Sequence, residues 1–322
     1  MSWKYWTGKK GLSQFTELTP LLFNANAVVW SPTLEIFCAV GAGISGGDNC
    51  AISADGVNWT YGSIGQDNPW GSIAWSNSLG LFCIVSRSGT NRVATSADGI
   101  NWTLRSASVN VAWNDITWSE YLGLFVACRD GGATSNIRFM RSTNGTSWTS
   151  TTLNDPAFVS FANTSISYNK DLSMFVSVGG IQNDQITYSF DGINWTLTSN
   201  PGNSQRVSII PHPDGFLSGT TSGVASVRHS ISFDGILWTN VNFSGRTTIS
   251  GCYAEKTKTL VTFPRGSSDI FITKNLSDYR IFQTFATNSN FSTISGQKSS
   301  TYSEKLDRVV FVSHTNLLVN NL

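Results

Sequence analysis

Carboxylates recur at one fixed place along this chain of 322 residues. Asp55, Asp98, Asp191 and Asp234 each stand third in an octapeptide, "SADGVNWT", "SADGINWT", "SFDGINWT" and "SFDGILWT", while "STNGTSWT" carries Asn144 there. A carboxylate can act as general acid or base, and glycoside hydrolysis needs two of them at a set separation. A catalytic group is required once, however, whereas a joint in a repeated scaffold is required in every unit, so the recurrence argues for the joint. Glu is scarce, and Glu35, Glu120, Glu255 and Glu304 fall in or beside the first hairpin turn of their units, where surface turn residues are the simpler reading. Asp48, Asp67, Asp115, Asp130, Asp184 and Asp269 are loop carboxylates that the sequence does not pair. Arg87 and Arg265 share one repeat position, two residues beyond an apolar strand, with Arg129 one residue off; with Asp130 they are candidates for a binding site at one end of a central channel. "GAGISG" from Gly41 matches a dinucleotide fingerprint, but that fingerprint needs a following helix N-terminus, and "DNCAIS" leads into another strand. His212, His229 and His314 are isolated, so no metal, cofactor or nucleophilic site is expected.

The elements that position these residues follow from the repeat. Each octapeptide sits where a third strand reverses into a fourth. Asp or Asn accepts backbone N–H groups there, and Gly tolerates positive φ: Asp55-Gly56, Asp98-Gly99, Asn144-Gly145, Asp191-Gly192 and Asp234-Gly235. Trp59, Trp102, Trp148, Trp195 and Trp238 supply apolar wedges between sheets, and each indole N–H needs a nearby carbonyl. A second element precedes each copy, as in "WSPTLEIFCAV" from Trp30 and "WSNSLGLFCIV" from Trp75. Its starts near 30, 75, 118, 168, 211, 253 and 302 are spaced by 45, 43, 50, 43, 42 and 49 residues. Apolar segments rich in Ile, Val, Phe and Trp alternate with Gly, Asn and Ser clusters, which predicts about four antiparallel strands per unit and no helix. The expected fold is therefore all-β: residues 1–322 form a single seven-bladed β-propeller of four-stranded blades. The last unit lacks its octapeptide, and Trp6-Thr7 matches the Trp-Thr that opens a fourth strand. Residues 1–8 are accordingly expected to complete the last blade and close the ring.

Charged residues are only 13% of the chain and the net charge is +1, so no broad field exists to attract nucleic acid or an anionic membrane. No stretch approaches a membrane span and the N-terminus has no apolar leader, so neither membrane insertion nor secretory export is expected. Cys38, Cys50, Cys83, Cys128 and Cys252 are odd in number, and the expectation is buried free thiols. Recognition is expected on the face that carries the inter-blade loops, with long connections at 8–28, 150–166 and 280–300. Trp70 and Trp113, five residues before Trp75 and Trp118, are candidates to stack on a sugar or anchor a protein there, against packing between blades.

The octapeptide resembles the Asp-box of sialidase-like propellers, S-x-D-x-G-x-x-W, with one residue missing between Asp and Gly. That resemblance implies architecture rather than activity. A sialidase would need an arginine cluster, a Tyr with a carboxylate partner and usually an Arg-Ile-Pro segment near the start, and no Arg-Ile-Pro segment occurs here. Compact "SxDGxxWT" repeats also look like those of propellers in bacteriophage tails and other virion appendages. This second resemblance implies a non-enzymatic structural or adhesion protein, assembled in a host cytoplasm and carried in the virion. Its partners would be other virion or tail proteins and a host surface glycan or protein. The alternatives are a glycan-degrading hydrolase or lyase, and an assembly scaffold resembling the propeller factors that aid photosystem assembly.

Overall fold

A computed structural model describes residues 15–44, 47–129, 136–153, 163–179, 185–198, 205–222, 229–241, 248–264, 269–274, 276, 283–286, 298–314 and 317–321. Among these residues the strands form seven antiparallel sheets of four. Blade 1 comprises Asn24–Ser31, Ile36–Ala42, Cys50–Ser53 and Thr60–Gly62, in order from axis to rim. The innermost strands of the other six are Trp70–Ser76, Trp113–Ser119, Asn163–Asn169, Gln205–His212, Thr248–Ala254 and Ser300–Ser303. Each touches the innermost strand of the next blade, and the last touches the first, so the ring is closed.

The closing strand is Thr16–Leu18, which pairs antiparallel with Leu317–Asn321, Thr16 opposite Val319. Closure by an N-terminal strand is thus as expected, but with different residues; residues 1–8 lie outside the described residues. The register has a packing cause. Phe15 is buried edge-on against Phe263 at 5.8 Å in the core shared by blades 6 and 7, and Leu18 packs on the cluster of Phe23 and Val310 between blades 7 and 1.

The recurring starts of the sequence pattern, aromatic at Trp30, Trp75, Trp118, Tyr168, Tyr253 and Tyr302 and proline at Pro211, are each the penultimate residue of an innermost strand. The strand then ends in a capped hairpin turn. Ser31, Ser76, Ser119 and Ser303 accept the backbone N–H three residues on, at 3.1, 3.1, 3.1 and 3.2 Å, Asn169 does so through Oδ1, and His212 Nδ1 accepts from Asp214 N at 3.0 Å. Across the hairpin, Trp30, Trp75, Trp118 and Tyr168 face Phe37, Phe82, Phe125 and Phe175 in register, with ring centroids 4.3–4.8 Å apart. Those four phenylalanines have no exposed surface.

The octapeptide is the joint between blades. Asp55 Oδ1 accepts from Val57 N and Asn58 N, both at 2.8 Å, and Asn58 Nδ2 donates to Oδ2. Trp59 Nε1 donates to Gly56 O at 3.1 Å. The copies at Asp98, Asn144 and Asp234 repeat the turn bonds, and Trp102, Trp148 and Trp238 repeat the indole bond. Asp191 holds its turn likewise, but the Trp195 ring stacks at 3.6 Å on Phe139 and its indole N–H has no acceptor among the described residues. Gly56, Gly99, Gly145, Gly192 and Gly235 all have φ between 70° and 80°. Each is pressed against the preceding blade: a Cβ on Gly99 would lie 2.7 Å from Ile52 Cγ2, and one on Gly56 the same distance from Val310 Cγ2, across the closure. Left-handed backbone and absence of a side chain are both required, which is why glycine recurs.

Candidate functional site

The innermost strands leave one edge unpaired toward the axis, and polar side chains satisfy it. Asp115, with no exposed surface, is the centre of that arrangement. Its Oδ1 accepts from Ser72 Oγ in blade 2 at 2.6 Å and from Ile116 N at 2.8 Å, and its Oδ2 accepts from Ser165 Oγ and Ile166 N in blade 4, both at 2.9 Å. Lys298 reaches across from blade 7, with Nζ 3.5 Å from Asp115 Oδ1, and donates to Ile116 O. The backbone around the same lysine closes the ring: Val28 N donates to Lys298 O, Ser299 Oγ to Asn26 O, and Trp30 N to Thr301 Oγ1. One carboxylate and one lysine therefore tie four blades together at the axis.

On the hairpin side of this tie a cavity of about 890 Å³ opens, with Lys298 in its lining. Its wall carries the penultimate aromatics Trp30, Trp75, Trp118, Tyr168, Tyr253 and Tyr302, with Pro211 completing the set of seven. The hairpin turns add Glu120, Asp171, Glu255 and Glu304, together with Lys170 and Lys305. Lys170 Nζ lies 3.0 Å from Glu255 Oε1, and this hydrogen bond, working against partial burial, raises the lysine pKa. Lys305 pairs with Glu35. His212 is 3% exposed, its ring edge-on to Tyr253 at 4.6 Å, and burial lowers its pKa despite nearby Asp214 and Glu255. Tyr253 is raised by burial, then by Glu255, Asp214 and Asp171, the sign of a negative potential at this side of the mouth. Tyr121 stands at the rim, 81% exposed.

The residues singled out from the sequence distribute differently. Trp70 and Trp113 have no exposed surface; their indoles donate to Gln66 O and Val109 O, and their rings fill the inter-blade cores. Neither presents a face for stacking on a sugar, which corrects the expectation of an adhesive pair. Arg87 is exposed on the loop side, Arg129 is 6% exposed and donates to Ile137 O, and Arg265 and Asp130 lie outside the described residues. No shared site of these four is seen among the described residues. Two buried arginines were missed, Arg138 and Arg206. Arg138 is close enough to Arg129 that its pKa falls, first through burial and then through that neighbour. The available signal was an arginine directly beside apolar residues, Arg138 in "IRFM" and Arg206 in "QRVSII".

The octapeptide carboxylates behave as turn residues. Burial alone would raise Asp98, but the side chain and backbone N–H of Asn101, the N–H of Ile100 and the Ser96 hydroxyl outweigh it and bring the pKa down to about 2. Asp55 is held well below the usual carboxylate range by the same balance. All five cysteines are free, and burial pushes the Cys50 and Cys252 thiols up to about 12. Such thiols are poor nucleophiles. "GAGISG" leads into strand Cys50–Ser53 rather than a helix, and Gly43 N donates to Asp67.

The architecture defines a seven-bladed β-propeller. No family model matches the chain, and no curated protein matches its sequence. Among solved structures, YCF48 from Cyanidioschyzon merolae is similar with a TM-score of 0.66 at 11% identity, covering 96% of this chain and 98% of that one. YCF48 bound to D1 peptide gives 0.67 at 11% identity over 98% and 96%. A chain of the mitotic checkpoint complex gives 0.67 at 10% identity over 99% and 98%. At these identities the likeness shows the propeller fold alone.

Proposed function

We propose that this chain is a non-enzymatic scaffold propeller that binds a protein partner at the hairpin end of its central channel. The observation that carries the reading is the aromatic cavity bordered by carboxylates, rimmed by exposed Tyr121 and built on seven rigid innermost strands. Concave, largely apolar sites with a few placed polar groups are the usual form of a binding pocket, and exposed Tyr and Trp are the usual anchors of protein interfaces. A YCF48 structure in complex with D1 peptide gives a precedent for a propeller of this shape holding a polypeptide. Of the carboxylates near the cavity, Glu255 is paired with Lys170 and Glu120 accepts from the N–H groups of Asn77 and Ser78, which supports a binding rather than a catalytic role for these two.

The finer form of the reading is a virion appendage whose partner is a tail protein or a host surface molecule. The free thiols favour assembly in a reducing cytoplasm. A photoreactive amino acid at Tyr121 tests the docking face, with the same label at Thr149 on an outermost strand as control. Crosslinking of a protein from cells of the source at Tyr121 and not at Thr149 is expected. Equal crosslinking at both positions, or turnover of fluorogenic glycosides, would overturn it. Retention on a glycan array without any protein crosslink would favour host glycan.

A further inference from the structure

The inner hairpins are capped by groups that do not titrate, the hydroxyls of Ser31, Ser76, Ser119 and Ser303 and the amide of Asn169, except in blade 5. There the strands pair His212 opposite Gly215, so the turn has two residues, where Ser31 opposite Ile36 and Ser76 opposite Leu81 enclose four. The two are Pro213 and Asp214. Proline has no N–H, so Asp214 supplies the one N–H between the paired ends, and it donates to His212 Nδ1 at 3.0 Å. An imidazole nitrogen accepts only while unprotonated, so this bond requires the neutral ring with its proton on Nε2.

The same turn joins three blades at the cavity. Asn169 Nδ2, from blade 4, donates to His212 O and Gly215 O, both at 2.8 Å, and the Tyr253 ring of blade 6 meets the imidazole edge-on. Pro211, His212 and Pro213 all line the cavity. The charges that face the ring come from each of these elements. Asp214 Oδ2 lies 3.6 Å from Nδ1 in its own turn, and Glu255 from blade 6 and Asp171 from blade 4 act in the same direction, Glu255 being paired with Lys170. The Lys274 carbonyl also favours a proton on the ring, although Nε2 forms no hydrogen bond of normal geometry among the described residues. Burial outweighs all of them and keeps the ring neutral.

We propose that the blade 5 hairpin is an acid-released latch on the cavity wall: a proton taken up by His212 Nδ1 displaces the Asp214 N–H, the imidazolium turns to the Asp214 carboxylate, and the turn lets go of Asn169. This goes beyond the docking reading and needs no partner. Its sign follows from linkage. Burial holds the folded pKa below the unfolded value of about 6.5, so the latch contributes fully above that value and its contribution is lost as pH falls through the folded pKa. A released turn returns the ring to water, where it protonates more readily, and acid therefore favours release.

The test follows the full chain by nuclear magnetic resonance from pH 7.5 to pH 5, above the usual carboxylate range of about 4. The His212 ring, the Asp214 amide and the Asn169 side-chain amide are expected to change with one common midpoint. D214N, which keeps the backbone donor and removes the carboxylate, should move that midpoint to lower pH. H212N carries the kind of cap that blade 4 already uses, and should hold the Asp214 and Asn169 signals constant over the range. In urea unfolding its ratio of folded to unfolded protein should rise several-fold relative to wild type between pH 7.5 and pH 5. If H212N does not fold, the wild-type titration decides alone. A ring that stays neutral down to pH 5, protonation that leaves the Asp214 and Asn169 signals unmoved, or the same movement of those signals in H212N overturns the proposal.

Discussion

Asp98 at the rim and Asp115 at the axis each accept four short hydrogen bonds, but from different parts of the chain. The partners of Asp98 are Ser96, Ile100 and Asn101, all within its own turn, and the carboxylate is exposed. The partners of Asp115 lie in blades 2, 3, 4 and 7, and no part of it meets solvent. The rim carboxylates repeat because every blade needs a turn. The axial one occurs once because the ring has one centre. Repetition therefore marks contacts that are individually modest, and the residue on which several blades converge carries no repeat signature at all.

That comparison predicts an order of effects. D115A should cost about 3–5 kcal/mol in urea unfolding, because it leaves Lys298 without its carboxylate and strands two serine hydroxyls and two amides. K298M should cost less, since Asp115 keeps its four N–H and O–H donors. A loss for D115A no larger than that of a rim aspartate would break the comparison. G99A comes next at about 2 kcal/mol, from left-handed backbone at φ 80° and a Cβ 2.7 Å from Ile52, read as a lower midpoint with an unchanged slope.

D98A should cost only about 1 kcal/mol, the depressed pKa being discounted for solvent screening of an exposed group. Its sign is set by linkage: the folded carboxyl titrates at about 2, below its unfolded value. The contribution is therefore present above the unfolded pKa and is lost as pH falls through about 2. Wild type and D98A should converge in stability toward pH 2, and a gap that persists there would argue against the turn bonds as its source.

The fold was readable because seven imperfect copies average out local ambiguity. The octapeptide located the third turn, the "WS" element located the first, and both geometries agree with the residues that recur. The site was less readable for the same reason. Trp70 and Trp113 look like rim aromatics in a linear count, but they open the innermost strands and so lie between sheets. Trp75 and Trp118 look like strand filler, yet their penultimate position brings them to the channel wall. The hairpin face was discounted because its glutamates read as ordinary turn residues. Only the ring brings Glu120 and Glu304, 184 positions apart in sequence, to one opening.

The hairpin turns offer a last and smaller test within the same comparison. The fifth residue after the penultimate aromatic adopts the left-handed conformation in six blades, as Gly80 and Gly123 in blades 2 and 3 but as Glu35, Ser173, Lys258 and Asp307 in blades 1, 4, 6 and 7. A side chain in that conformation carries a penalty of about 1 kcal/mol, which glycine avoids at some cost in unfolded-chain entropy. Ser173 is the cleanest position, because it is exposed and its hydroxyl makes only a 3.5 Å bond to Lys170 O. S173G should therefore raise stability by no more than about 0.5 kcal/mol, seen as a small upward shift in melting temperature. E35G should gain less, because it also removes the carboxylate that pairs with Lys305. Should S173G instead destabilise, the turn would draw its stability from the serine itself, and the hairpin end would depend on its individual residues as the axis does on Asp115.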